Sequence, residues 1–296
     1  MFPRILDANT PIVIQGITGK EGSRMAGWMK RSGANIVAGV TPGKGGQSVE
    51  GIPVFNSISE AVSAHGAIEA SCIVVPPVRV LEAFQSALDA GIRLVHVLTE
   101  NVPVHDVLEM RRLASGAGVS LLGPASVGYL QFPRFRLGYM GGERPFESCR
   151  EGDLAVLSTS GGMANEIIAS LSRVGVGIRL AVALGGGWIL GTSIGEAVRA
   201  CEQLPEVKRI VVFVEPGQPF VQALASGTFR PEKPLIVLMP GECLDHMPKD
   251  RPFGHAGTIV GEQDMSVQET KVAIRRHGTV CVDGVPELVQ AVLQYG

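Results

Sequence analysis

The sequence has little net charge. Its 296 residues carry 26 Lys and Arg against 28 Asp and Glu, a formal charge of -2, too close to balance to recruit nucleic acid or an anionic membrane through a long-range field. Any anion bound here must be held by local geometry. No apolar run approaches the roughly 18 residues of a membrane span, and the first residues lack the basic region and long apolar core of a secretory leader. A cytoplasmic chain is the expectation. The five cysteines, Cys72, Cys149, Cys201, Cys243 and Cys281, include no C-x-x-C and suggest no zinc spacing, so they read as reduced, mostly core residues, and no metal site is expected. Repeats and low-complexity tracts are also absent.

What the sequence does have is alternation. Its length exceeds the size at which one hydrophobic core keeps growing, so two domains are expected, and a 45% hydrophobic content can fill both. Short β-branched runs alternate with helical patterns, as in parallel sheets covered on both faces. In the first half the runs are PIVIQ (11–15), ANIVAGV (34–40), SCIVVP (71–76), RLVHVLT (93–99) and VSLLG (119–123), with helices over Lys20–Arg31, Val78–Ala90 and Val104–Ala117. From Pro124 to Gly152 no period is sustained, and this stretch reads as a linker or crossover. LAVLSTS (154–160), RLAVALGGG (179–187), KRIVVFVEPG (208–217), PLIVLMPG (234–241) and TVCVDG (279–284) follow. The expected fold class is α/β, with a Rossmann-like domain over 1–126 and a flavodoxin-like domain over 127–296.

After the first strand, GITGKEGS places Gly16, Gly19 and Gly22 at a helix start. Glycines allow close backbone approach to a phosphate, and a helix N-terminus directs free N–H groups at it. The spacing is G-x-x-G-x-x-G rather than G-x-G-x-x-G, so a tight turn without a ligand remains open. An NAD site requires an acidic residue at the end of the second strand; GVTPGKGG offers Lys44 instead, which suits NADP or, equally, the 3′-phosphate of coenzyme A. That loop is no Walker A motif, because the count from Gly39 to Gly43-Lys44 is one residue short and Gly45 stands where Ser or Thr would be needed.

In the second half, STSGGMANE puts Ser158, Ser160, Gly161 and Gly162 at another strand-to-helix junction, an anion cradle or a simple Ser160 N-cap. Glu215 ends the VVFVE run, where sites form in such sheets, although a solvated strand-end carboxylate reads the same way. His255 lies in a Gly-His-Ala-Gly frame. Such a histidine is by default a surface residue, but beside an anion cradle and a carboxylate it could take a phosphoryl group on one ring nitrogen. Its small neighbours would then clear space for that group.

GITGKEG, GVTPGKGG, GIPVFNSISEAV, LTENVP, SGG and above all GHAG resemble the α subunit of succinyl-CoA synthetase along nearly the whole chain. The resemblance implies an ADP- or GDP-forming acid–CoA ligase in which His255 is the phosphohistidine and Glu215 steadies it. It places Ser158, Ser160, Gly161, Gly162 and, where the family has a tyrosine, Asn165 at the phosphate and substrate. Coenzyme A contacts fall on Thr18, Gly19, Lys20, Glu21, Lys44, Leu98, Thr99 and Glu100. It further implies an ATP-grasp β partner, in an αβ or α2β2 assembly, that binds most of the ATP or GTP and Mg2+, and a small di- or tricarboxylate as substrate.

The sequence departs from succinyl-CoA synthetases at Ala125 of GPASVG, at Asn165 and at Gly187-Trp188. The first two departures resemble ATP-citrate lyase and citryl-CoA synthetase. Trp188 reads either as an apolar wall for a different acid or as interdomain packing. A CoA-binding protein that has lost turnover is a further reading, and an NADP oxidoreductase a more distant one.

Overall fold

The computed structural model describes residues 8–132, 135–187, 189–247 and 265–295. Its first half runs β1 (Ile12–Gln15), α1 (Lys20–Arg31), β2 (Ile36–Val40), β3 (Ser48–Val49), β4 (Ile52–Phe55), α2 (Ile58–His65), β5 (Ala70–Ile73), α3 (Val80–Asp89), β6 (Leu94–Val97), α4 (Val104–Ala117) and β7 (Ser120–Leu122). These strands order as β3-β4-β2-β1-β5-β6-β7, parallel throughout except for the short β3 against β4. Setting β3 aside, this is the 3-2-1-4-5-6 order of a Rossmann sheet. Every residue of β1, β5, β6 and β7 is buried, as expected for strands covered on both faces. Local chemistry sets the helix ends: Pro103 leads into α4 and Gly118, at φ 64°, ends it.

The second half runs β8 (Gly128–Gln131), β9 (Phe135–Gly138), α5 (Pro145–Ser148), β10 (Glu151–Ser158), α6 (Gly161–Arg173), β11 (Ile178–Ala183), α7 (Ile194–Glu202), β12 (Arg209–Phe213), α8 (Pro219–Ala225), β13 (Leu235–Leu238), α9 (Val267–Arg276), β14 (Val280–Val282) and α10 (Val285–Gln294). Its parallel part orders as β11-β10-β12-β13-β14, the flavodoxin order 2-1-3-4-5.

The stretch read as a linker or crossover carries two strands of its own. β8 and β9 form an antiparallel hairpin that adds to the edge of β11, and both strands are fully buried. The hairpin also welds the two halves together. Arg136, in β9 and fully buried, donates to Ser32 Oγ beyond α1 at 2.8 Å, to Gly138 O at 3.1 Å and to Gly142 O, and it lies over the Trp28 ring. Burial, and secondarily Arg31, pulls its pKa down to about 10, which still leaves it charged at neutral pH. One apolar cluster runs across the junction, from Ile14, Met29 and Leu122 to Tyr129, Leu157 and Val212.

Both sheets have a switch point, where strand order reverses and a crevice opens at the strand carboxyl ends. In the first sheet it lies between β1 and β5, in the second between β10 and β12. Among the described residues, no helix is long and apolar enough to cross a membrane.

Candidate active site

The segment Gly123–Val127 brings the two crevices together. The Gly123 amide donates to Leu184 O at 3.1 Å, just past β11, while the Ser126 and Ala125 amides donate to Val97 O at the end of β6 and Thr99 O beyond it, at 3.3 and 3.0 Å. Ser126 Oγ donates to Ala183 O at 2.6 Å. Beneath this seam His96 contacts Ser126 O through Nε2 at 2.8 Å. Complete burial pushes the His96 pKa down to about 4, so the ring is neutral and Nε2 carries the proton it donates.

A cleft of about 560 Å³ is lined by Glu100, Asn101 and Val102 from the first sheet's rim, by Thr159, Ser160, Gly161 and Gly162 from the second, and by Ala125 and Val127 of the segment joining them. Glu100 and the Ser160–Gly162 turn, 60 positions apart in sequence, thus share one cavity. Val104, Val107 and Ile189 add apolar wall. Neither this wall nor Thr159 was singled out from sequence.

In the β10–α6 turn, Ser158 Oγ donates to Ser160 O at 2.6 Å and accepts from Ser160 N at 3.0 Å. Ser160 is the N-cap of α6, its Oγ accepting from Met163 N at 3.4 Å. Both serines thus help to shape the turn. The amides of Gly161 and Gly162, first in α6, have no acceptor within the helix. A Cβ at Gly161 would strike Val127 Cγ1 at 2.6 Å, which explains the glycine. Register pairs Ser158 with Phe213, so Glu215, two residues farther along, stands on the same rim. It is 9% exposed, not a solvated strand end, although it is not part of the cleft wall. Asn165 turns away from the cleft: its Oδ1 accepts from Gly141 N at 2.8 Å, and it lines a separate cavity of about 470 Å³ with Cys149 and Ile168.

The residues expected to meet coenzyme A gather on the rim of the first sheet. Gly16, at φ 85°, turns the chain out of β1, and its carbonyl accepts from Gly19 N at 3.1 Å. A Cβ on Gly22 would stand 2.2 Å from that carbonyl, so the buried glycine lets the first turn of α1 pack on the loop. Thr18 Oγ1 donates to Thr41 Oγ1 at 3.2 Å, joining this loop to the one carrying Lys44; that second loop is held by Asn56 Oδ1, which accepts from the amides of Gly43 and Gly45 at 3.0 Å each. Gly19, Lys20 and Lys44 are exposed. Leu98 N donates to Ile73 O at 3.1 Å and Thr99 Oγ1 to Val75 O at 2.8 Å. Glu21 is already engaged, by Arg24 at 2.7 Å and by the Tyr139 hydroxyl.

His255 and Trp188 lie outside the described residues. The segments on either side of 248–264 are tied together. Asp245 accepts from Val267 N at 2.7 Å and Gln268 N at 3.2 Å, while the buried Lys271 of α9 pairs with Glu242 at 3.0 Å and with Asp283. Burial works against the Lys271 charge, but its hydrogen bonds to these carboxylates outweigh that and raise its pKa.

This pairing of a Rossmann sheet with a flavodoxin sheet across one cleft has counterparts among known proteins. Residues 7–101 match the family model described as CoA binding domain, and residues 151–294 that described as Succinyl-CoA ligase like flavodoxin domain. Subunit α 2 of an ADP-forming succinate–CoA ligase of Archaeoglobus fulgidus is 35% identical over 98% of this chain and 99% of its own length. The chain belongs to the succinyl-CoA synthetase α-subunit family. Within the family, the α subunit of a malate–CoA ligase from Methylorubrum extorquens is 35% identical over 94% of each chain. An ATP citrate lyase of Methanothrix soehngenii, solved with citrate and coenzyme A, is similar at a TM-score of 0.86 and 26% identity, covering 99% of this chain. The chain spans about half of that lyase, 51% of its length.

Proposed function

We propose that this chain is the α subunit of an NDP-forming carboxylate–CoA ligase, working in the cytoplasm with an ATP-grasp β partner that holds most of the nucleotide and Mg2+. The observation that carries this reading is the cleft itself, which Glu100 of the first sheet's rim and the Ser160–Gly162 helix start line together. Gly19 and Lys20 at the start of α1, with Lys44 on the neighbouring loop, are exposed and suit the phosphates of coenzyme A.

In the chemistry proposed, the nucleotide γ-phosphoryl group forms an N–P bond with His255 as the P–O bond to the departing diphosphate breaks. A substrate carboxylate oxygen attacks that phosphorus, the N–P electrons return to the ring, and an acyl phosphate results. The CoA thiolate, its proton lost to solvent, attacks the acyl carbon, and the C–O bond breaks to release inorganic phosphate. The role of this chain is mostly positioning and charge stabilisation. The Gly161 and Gly162 amides with the α6 dipole receive phosphate charge, Glu215 orients the imidazole, and the valines of the cleft hold the carbon skeleton of the acid.

Co-purification with the β partner, followed by a screen of succinate, malate and citrate for CoA-dependent ADP release, tests this. Release with at least one acid is expected. CoA binding without turnover by any acid would leave a CoA-binding protein of the same fold. The similarity to the citrate lyase favours a second reading, citryl-CoA ligation, for which citrate would be the preferred acid.

A further inference from the structure

Resting on that reading, the β10–α6 turn contains one hydroxyl with no assignment. The Ser158 hydroxyl both donates and accepts within the turn, Ser160 Oγ accepts the α6 cap bond from Met163 N, and the Thr159 amide donates to Phe213 O at 3.3 Å. Thr159 is 2% exposed, lines the cleft, and its Oγ1 makes no hydrogen bond. A desolvated hydroxyl without a partner is destabilising, and a hydrogen-bond acceptor bound in this cleft would satisfy it. Beside it the Gly161 and Gly162 amides point out of the first turn of α6, a helix of 13 residues with no acidic side chain in that turn to compete. At Gly162 the space is open, the nearest atom to a built Cβ being Ser160 Oγ at 3.9 Å.

We propose that Thr159 Oγ1 is a third donor to the phosphate at the α6 N-terminus, adding a side-chain hydrogen bond to those of the two backbone amides. A tetrahedral oxyanion has enough acceptor oxygens for all three, and neutral donors serve a group that must pass on to the next acceptor.

The test compares the full-length chain with Thr159→Val, which keeps the shape and removes the hydroxyl, and with Thr159→Ser, which keeps the hydroxyl. Inorganic phosphate is titrated by calorimetry and melting is followed without phosphate. With the β partner and labelled ATP, the phosphorylation rate and the KM for CoA are measured. Thr159→Val should melt no lower than wild type, because it removes an unsatisfied polar group. It should bind phosphate about ten- to a hundredfold more weakly, as expected for a hydrogen bond to a charged group, and be phosphorylated correspondingly more slowly at unchanged KM for CoA. Thr159→Ser should stay within about threefold of wild type on the same scale.

Equal phosphate binding and labelling by wild type and Thr159→Val would overturn the proposal, as would wild type failing to bind phosphate. So would a raised KM for the acid with phosphate binding unchanged, which would assign the hydroxyl to the carboxylate. If no partner phosphorylates wild type, the ligase reading fails, while the phosphate titration still decides the role of Thr159.

Discussion

Gly123 donates its amide to the carbonyl oxygen of Leu184 at 3.1 Å, joining the carboxyl end of β7 in one sheet to that of β11 in the other. The position requires glycine. Its φ is 96°, and a Cβ there would lie 2.4 Å from Val97 O. Gly123→Ala should therefore cost about 2 kcal/mol or more in denaturant unfolding, from backbone strain plus the clash. It should also raise the KM for CoA, because Val97 leads directly into Leu98–Glu100.

The pH dependence of stability follows from His96. Its folded-state pKa, about 4, lies below the ordinary value near 6.5. Between these values the unfolded chain holds a proton that the folded chain does not, so stability falls as pH falls through this window and is complete above it. From pH 7 to pH 5 this one group should remove about 2 kcal/mol. Urea midpoints for His96→Gln at the two pH values should differ less than those of wild type by that amount.

Arg136 links β9 to the end of α1 from a fully buried position. Arg136→Met should destabilise by about 3 kcal/mol, because the acceptors it serves lose a charged, forked donor. Arg136→Lys should recover only part of this, since an ammonium cannot reach Ser32 Oγ, Gly138 O and Gly142 O together. Chemical denaturation measures both.

Asp245 and Lys271 tie together the stretches on either side of 248–264. Asp245→Ala should cost about 1 kcal/mol, as for a lost helix cap. Lys271→Met should cost about 1–2 kcal/mol, less than a fully buried pair because both carboxylates are half exposed. Both variants should slow phosphate labelling while leaving CoA affinity unchanged, which calorimetry with CoA would check.

Elements governed by local chemistry were legible in the sequence. α1 and α4 run from Lys20 to Arg31 and from Val104 to Ala117, as the periodicity predicts, because glycine or proline marks their ends. The β8–β9 hairpin was not, since Gln131 and Arg136 look like loop residues until their partners are known, and Ser32 is 104 positions from Arg136. β3 and β4 are too short for a period to show. At the site, the glycines announced the β10–α6 turn, but which hydroxyl lacks a partner is a tertiary property. The sequence pointed to Ser158 and Ser160, which also shape the turn, and gave no sign that the Thr159 hydroxyl is the one without a partner. The direction of Asn165 away from the cleft likewise depends on Gly141, in the turn after β9.

The most direct test is to mix the chain with its β partner and ATP labelled at the γ-phosphate, and to follow the label on the α chain. The account predicts an acid-labile, base-stable phosphate that appears on wild type, is absent from His255→Asn, and is discharged on adding CoA with the acid substrate. Equal labelling of His255→Asn would contradict it.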